Sequence, residues 1–127
     1  MNMSIAALAY IKNLMQGMGI PYEFMRWNSG EPPNCYFVGE YIESPPTTLE
    51  ENGYQETTFI LRGFTRGEWM ALELAKSKIE ANVGKTAILD DGSGIAIFYD
   101  SASPVATGDA ELKSIKINLN IQEWKVN

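Results

Sequence analysis

The stretch NGYQETTFILRGFTRGEWMALELAKSKIEANVG, Asn52–Gly84, decides the fold class. The Asn52-Gly53 pair is a turn signal, and Tyr54–Phe64 after it is rich in the β-branched and aromatic residues of a strand. Thr65 and Glu68 then have the T-x-x-E spacing of a capping box, in which each side chain satisfies an orphan amide at a helix start. Trp69, Leu72, Ile79 and Val83 recur at helical spacing, with Ala75 or Lys76 between them, and Met70 and Leu74 widen the apolar face. Glu68 and Glu73 lie early and Lys76, Lys78 and Lys85 late, which complements the macrodipole. Gly84 is a natural stop. A helix of that extent would run about 27 Å. The unit is a strand passing into a helix, with no catalytic fingerprint on it.

Upstream, SIAALAYIKNLMQGM (4–18) spaces Ile5, Leu8, Ile11, Met15 and Met18 as an amphipathic helix with its stripe on the core. Ser4 is its N-cap, Gly17 and Gly19 mark its end, and Pro21 prevents continuation. Tyr22, Phe24 and Arg26 alternate with Glu23 and Met25 as a short strand, and Asn28–Asn34 is a loop. CYFVGEYIE (35–43) is a second strand, joined to the third by SPPTTLEENG (44–53). If those strands pair, their hairpin carries a long arm, the kind of loop that is functional or mobile.

Downstream, KTAILDD and GIAIFYD flank the turn DDGSG and read as a hairpin. SASPVATGDA (101–110) reads as a second long loop. In the last segment Ile115, Ile117, Leu119 and Ile121 alternate with Lys116, Asn118, Asn120 and Gln122, one face buried and one wet. The expected fold is α+β: a mostly antiparallel sheet of about five to six strands with two helices packed on one face. The element order is α-β-β-β-α-β-β-β, in a single domain spanning residues 1–127.

Composition narrows the function. The 127 residues carry 16 acidic and 10 basic side chains, a formal charge of −6, which disfavours a basic face for phosphate backbones. Solubility accounts for the acidity; repulsion near DNA is the other reading. There is no histidine and one cysteine, so the usual general base, the usual metal ligand and any internal disulfide are missing. No apolar run reaches the length of a membrane span, and the first residues lack the basic start of an export signal, so a cytosolic location is expected.

The remaining candidates for chemistry each have a plainer reading. Position twelve counted from Asp90 is Ser101, where a calcium loop needs Glu, so Asp90–Gly94 is read as a turn. GFTRGEW lacks the spacing of a P-loop, although Arg62 and Arg66 could hold an anion at the helix N-terminus instead of making surface salt bridges. Glu43, Glu50, Glu51, Asp90, Asp91 and Asp100 fall in polar loop sequence, unlike a desolvated acid–base pair. Cys35, with no histidine to activate it, is read as inert. Trp27 and Trp124 sit at expected strand ends, as interface residues or as rim packing.

The succession of elements resembles the tail completion or tail terminator proteins of long-tailed bacteriophages and prophages. The likeness runs roughly from Met3 to Trp124. It is carried by YFVGEYIESPPTTLEENGYQETTFILRGFTRGEWMALELAKSKIEANV, a strand, an extended arm and a second strand running into the helix, and by the closing KSIKINLNIQEWKV. The resemblance implies a non-enzymatic virion building block without cofactor or metal. Such proteins form a ring, usually a hexamer, that caps the tail tube and joins it to the head. The partners implied are further copies of the chain, the tail tube protein and a head-connector protein, with no specific nucleic-acid or membrane binding. The place implied is the host cytoplasm during assembly and then the virion tail. The interaction residues it suggests are Glu43, Leu49, Glu50, Glu51, Arg62, Arg66 and Trp124, with the arm Ser44–Gly53 and the loop Ser101–Ala110 reaching neighbours.

Two other readings compete. One is a small-ligand-binding or enzymatic α+β domain, ferredoxin-like, with Tyr22, Tyr36, Tyr41 and Tyr99 lining a pocket. The other is a regulatory adaptor acting by protein contacts alone.

Overall fold

The computed structural model describes residues 3–42 and 54–125. Its elements are α1 (Ile5–Gly17), β1 (Tyr22–Phe24), β2 (Cys35–Ile42), β3 (Gln55–Thr65), α2 (Met70–Asn82), β4 (Thr86–Ile88), β5 (Gly94–Val105) and β6 (Lys113–Trp124). The strands form one six-stranded sheet in the order β1-β2-β3-β6-β5-β4. Among the described residues only the β1–β2 pair is parallel. Both helices pack on one face of it, so the expected α+β architecture and element order hold.

Helix α1 starts as its sequence dictates, with the Ser4 hydroxyl accepting the Ala7 amide at 3.1 Å. Its end is set by Gly19, whose φ of +71° a residue with a Cβ adopts only with strain. The buried stripe differs from expectation: it is Ala7, Ile11 and Met15, while Ile5 is 86 % exposed. Once Ala7 faces the sheet, Ile5, two residues back, lies about 200° round the axis and points outward.

β1 is cut short at Phe24 because Met25 turns to φ 72°. β2 and β3 do pair, antiparallel, from Cys35↔Thr65 to Ile42↔Thr58. The arm between them, with Glu43, Leu49, Glu50 and Glu51, lies outside the described residues.

The capping box at Thr65 and Glu68 does not form. Thr65 is the last rung of β3, paired with Cys35 on one side and Lys113 on the other, and its side chain is fully buried. A residue fixed in the ladder by both neighbours cannot also stand at a helix start. Its hydroxyl instead accepts the Gly67 amide at 3.1 Å, shaping the turn that lifts the chain from the sheet to the helix layer. α2 begins at Met70, with Trp69 at its N-cap making no side-chain capping bond.

The helix is therefore shorter than expected, 13 residues. Leu72, Ala75 and Ile79 face the core, whereas Met70 and Leu74 are 62 % and 60 % exposed and do not widen that face. Each sits two residues from Leu72, again about 200° away. The last turn carries no basic residue; Lys76 lies mid-helix within 3.4 Å of Glu73 and 4.0 Å of Glu80.

The second long loop is also overturned in part. Ser101–Val105 belongs to β5, which pairs with β6 along its length and absorbs one irregularity between Tyr99 and Ser101. Ser and Pro argue for a loop locally, but the ladder with β6 outweighs them. Pro104 is tolerated because β4 pairs only with Gly94–Ala96, which leaves the rest of β5 as a sheet edge. β6 alternates as read: Ile115, Ile117, Leu119 and Ile121 are buried under the helices, and Lys116, Asn118, Asn120 and Gln122 face the other way.

Candidate interaction surface

The face of the sheet opposite the helices is built by period-two alternation on four long strands. The ladder registers set Val38, Arg62, Lys116 and Ser103 in one row across it. Glu40, Ile60, Asn118 and Ser101 form the next row, and Ile42, Thr58, Asn120 and Phe98 the one after. Around Ile60, which is buried at its middle, the polar side chains bond one another. Arg62 Nε donates to Glu40 Oε1 at 2.5 Å, Asn118 donates to the Ser101 hydroxyl at 3.0 Å, and Asn120 to Glu56 at 2.9 Å. Arg62 and Lys116 are balanced there by Glu40 and Glu56, so the face carries both signs. Ile42 and Phe98 stand at opposite ends of one row, 53 % and 42 % exposed.

One end of this face carries an aromatic stack. Tyr36 and Phe64 are opposite in the β2–β3 ladder with ring centres 5.3 Å apart, and Trp27 packs on Tyr36 at 5.3 Å. The Trp27 indole N–H is enclosed and has no acceptor among the described residues. Between α1 and β1 runs a groove of about 340 Å³ lined by Ile5, Leu8, Lys12, Tyr22, Glu23 and Phe24.

Among the described residues, the expected site residues Arg62, Arg66 and Trp124 do not come together. Arg62 sits mid-strand in its ion pair, and Arg66 bonds Asp109 at 3.1 Å in the loop before β6. Neither addresses the start of α2, so an anion site made by the two is not formed. Trp124 ends β6 and lies over Gly94, its partner across the ladder, where any Cβ would collide with the indole. That is rim packing of the sheet, with the ring still partly exposed.

The four tyrosines do not line one pocket either. Tyr36 is on the open face, while Tyr41 stacks against Phe24 and Tyr99 lies near Lys76, both on the helix side. Burial holds the Tyr22 hydroxyl well above its ordinary range, in its neutral form. Burial also pushes the Cys35 thiol up, away from the reactive thiolate.

The DDGSG segment is a turn. Asp91 accepts the hydroxyl and then the amide of Ser93, which together lower its carboxyl below the usual range. Among the described residues no His, Cys, Asp and Glu side chains gather in a set able to hold a metal ion. No described helix is long and apolar enough to cross a membrane.

Two features of this surface were hidden in the sequence. The Glu40–Arg62 pair and the Trp27–Tyr36–Phe64 stack join residues far apart in the chain, and only the β2–β3 register brings them into contact. No protein-family model matches the chain, and no curated protein matches it.

Proposed function

We propose that the chain is a non-enzymatic structural protein of a long-tailed bacteriophage or prophage. In this reading it is a tail terminator or completion subunit, and copies of it close into a ring at the end of the tail tube and join the tube to the head. The observation that carries the reading is the one-sided architecture. A single sheet is clad by two helices on one face and offers a polar, charge-balanced face and a long β5 edge on the other side and flank. Edges and faces of this kind bind copies and partners by main-chain pairing and shape, without a reaction. The order of elements from Met3 to Trp124 matches the layout that the resemblance rests on. The net charge of −6 suits a ring through which DNA passes without adhering.

Native mass spectrometry and negative-stain microscopy of the chain, alone and mixed with purified tail tubes, test the proposal. The expected result is a closed ring, seen free or at tube ends. A chain that stays monomeric and leaves tubes uncapped at every concentration overturns it.

A further inference from the structure

The outward side of α2 has a pattern that the fold itself does not use. Met70 and Leu74 are 62 % and 60 % exposed on a helix whose buried face is Leu72, Ala75 and Ile79. With Ser77 and Ala81, both exposed, they make a stripe at spacings of four, three and four residues, directly opposite the buried side. Those are the a and d positions of a heptad seam: large residues in the first turns, small ones after them.

The flanks of the stripe are charged with opposite sign. Glu73 and Glu80 lie along one side of it and Lys78 along the other. In a parallel helix pair the flank bearing Glu73 meets the partner's opposite flank five residues further on, where Lys78 stands. In an antiparallel pair the same flanks meet, and Glu73 would oppose Glu80. One helix thus presents acid and base so that two identical copies, side by side in the same direction, satisfy each other. Lys76, on the core side of the acidic flank, contacts both Glu73 and Glu80 and steadies them.

We propose that the α2 stripe Met70–Leu74–Ser77–Ala81 is a homotypic contact, pairing in parallel with α2 of a second copy of this chain. The contact lies on the side of the molecule away from the open sheet face, so it does not use the surface assigned above to ring and tube. Its seam is only two heptads long, so the pairing is weak in isolation and is best trapped covalently.

The parallel arrangement sets each Ser77 against Ser77 of the other copy. In a Cys35→Ser background, Ser77→Cys is expected to form a disulfide-linked dimer faster than a control cysteine at exposed Asn13 on α1. Adding Leu74→Glu places like charges in the seam and is expected to slow that cross-link about tenfold or more. Lys78→Glu is expected to slow it too, and combining Lys78→Glu with Glu73→Lys to restore it. Equal rates for Ser77→Cys and Asn13→Cys overturn the proposal. So does preferential cross-linking between Leu74→Cys and Ser77→Cys copies, the antiparallel signature. The measurement is made on the free chain, and ring formation is read by microscopy. A missing cross-link with rings intact overturns the α2 contact alone, and a cross-link with no rings, free or at tube ends, overturns the tail reading alone.

Discussion

The far edge of the Phe37 ring packs against Gly63. The two are partners in the β2–β3 ladder, and a Cβ built on Gly63 would come within 2.5 Å of the Phe37 ring. A glycine mid-strand costs backbone entropy and packs nothing of its own, yet here it makes the space that lets a fully buried phenylalanine lie against the sheet. Gly63→Ala is expected to destabilise the protein by about 1–3 kcal/mol through overpacking. Phe37→Leu in the same chain should recover part of that, because the smaller side chain relieves the clash that the alanine makes. Urea denaturation of the two single variants and the double variant measures it; additive losses would refute the contact.

Ser4 joins the start of α1 to the end of the last strand. Its hydroxyl donates to Glu123 at 2.7 Å while accepting the Ala7 amide, and Glu123 is 9 % exposed. Ser4→Ala removes a cap and a partner of a buried carboxylate, at a cost of about 1–2 kcal/mol. Chemical denaturation gives the loss, and hydrogen exchange should quicken first at the amide of Ala7.

Thr65 and Glu68 separate two accounts of how α2 begins. A capping box would make both substitutions costly. With Thr65 in the ladder and Glu68 exposed, Glu68→Ala should fall within about 0.5 kcal/mol of the parent. Thr65→Ala should cost about 1–2 kcal/mol, from the lost bond to Gly67 and the lost packing. Thermal melts of both variants, compared at one pH, decide between the accounts.

Acid should loosen the loop before β6. The Glu111 amide and then the Arg66 guanidinium hold the Asp109 carboxyl below its ordinary range. A carboxyl lowered in the folded state adds stability above its unfolded pKa of about 4, and that stability is lost as pH falls through the folded value. Asp91, held by Ser93, and Glu73, held by the Trp69 indole N–H and then Lys76, act in the same direction. Melting temperature should therefore drop as pH falls below about 4, and Asp109→Asn should lessen the drop. An unchanged slope in Asp109→Asn would count against the Arg66–Asp109 tie.

Much of the fold was written in local pattern. Alternation along Ile115–Ile121 named the buried side of β6, and the cap at Ser4 and the glycine after Met18 bounded α1. These succeed because period, capping chemistry and permitted φ are properties of a few consecutive residues. Where local signals conflicted with pairing, pairing won. Thr65 went to the ladder instead of the helix, and Ser101–Val105 went to β5 instead of a loop.

The candidate site was far less legible. The sequence alone determined which residues alternate, which are charged, and that histidine is missing from the chemistry. Tertiary structure decided that Arg62 answers Glu40, that Arg66 answers Asp109, and that Met70 and Leu74 look outward. The reason is physical. Strand register and helix rotation are chosen by the whole core at once, and shifting either by one residue sends every side chain of that element elsewhere.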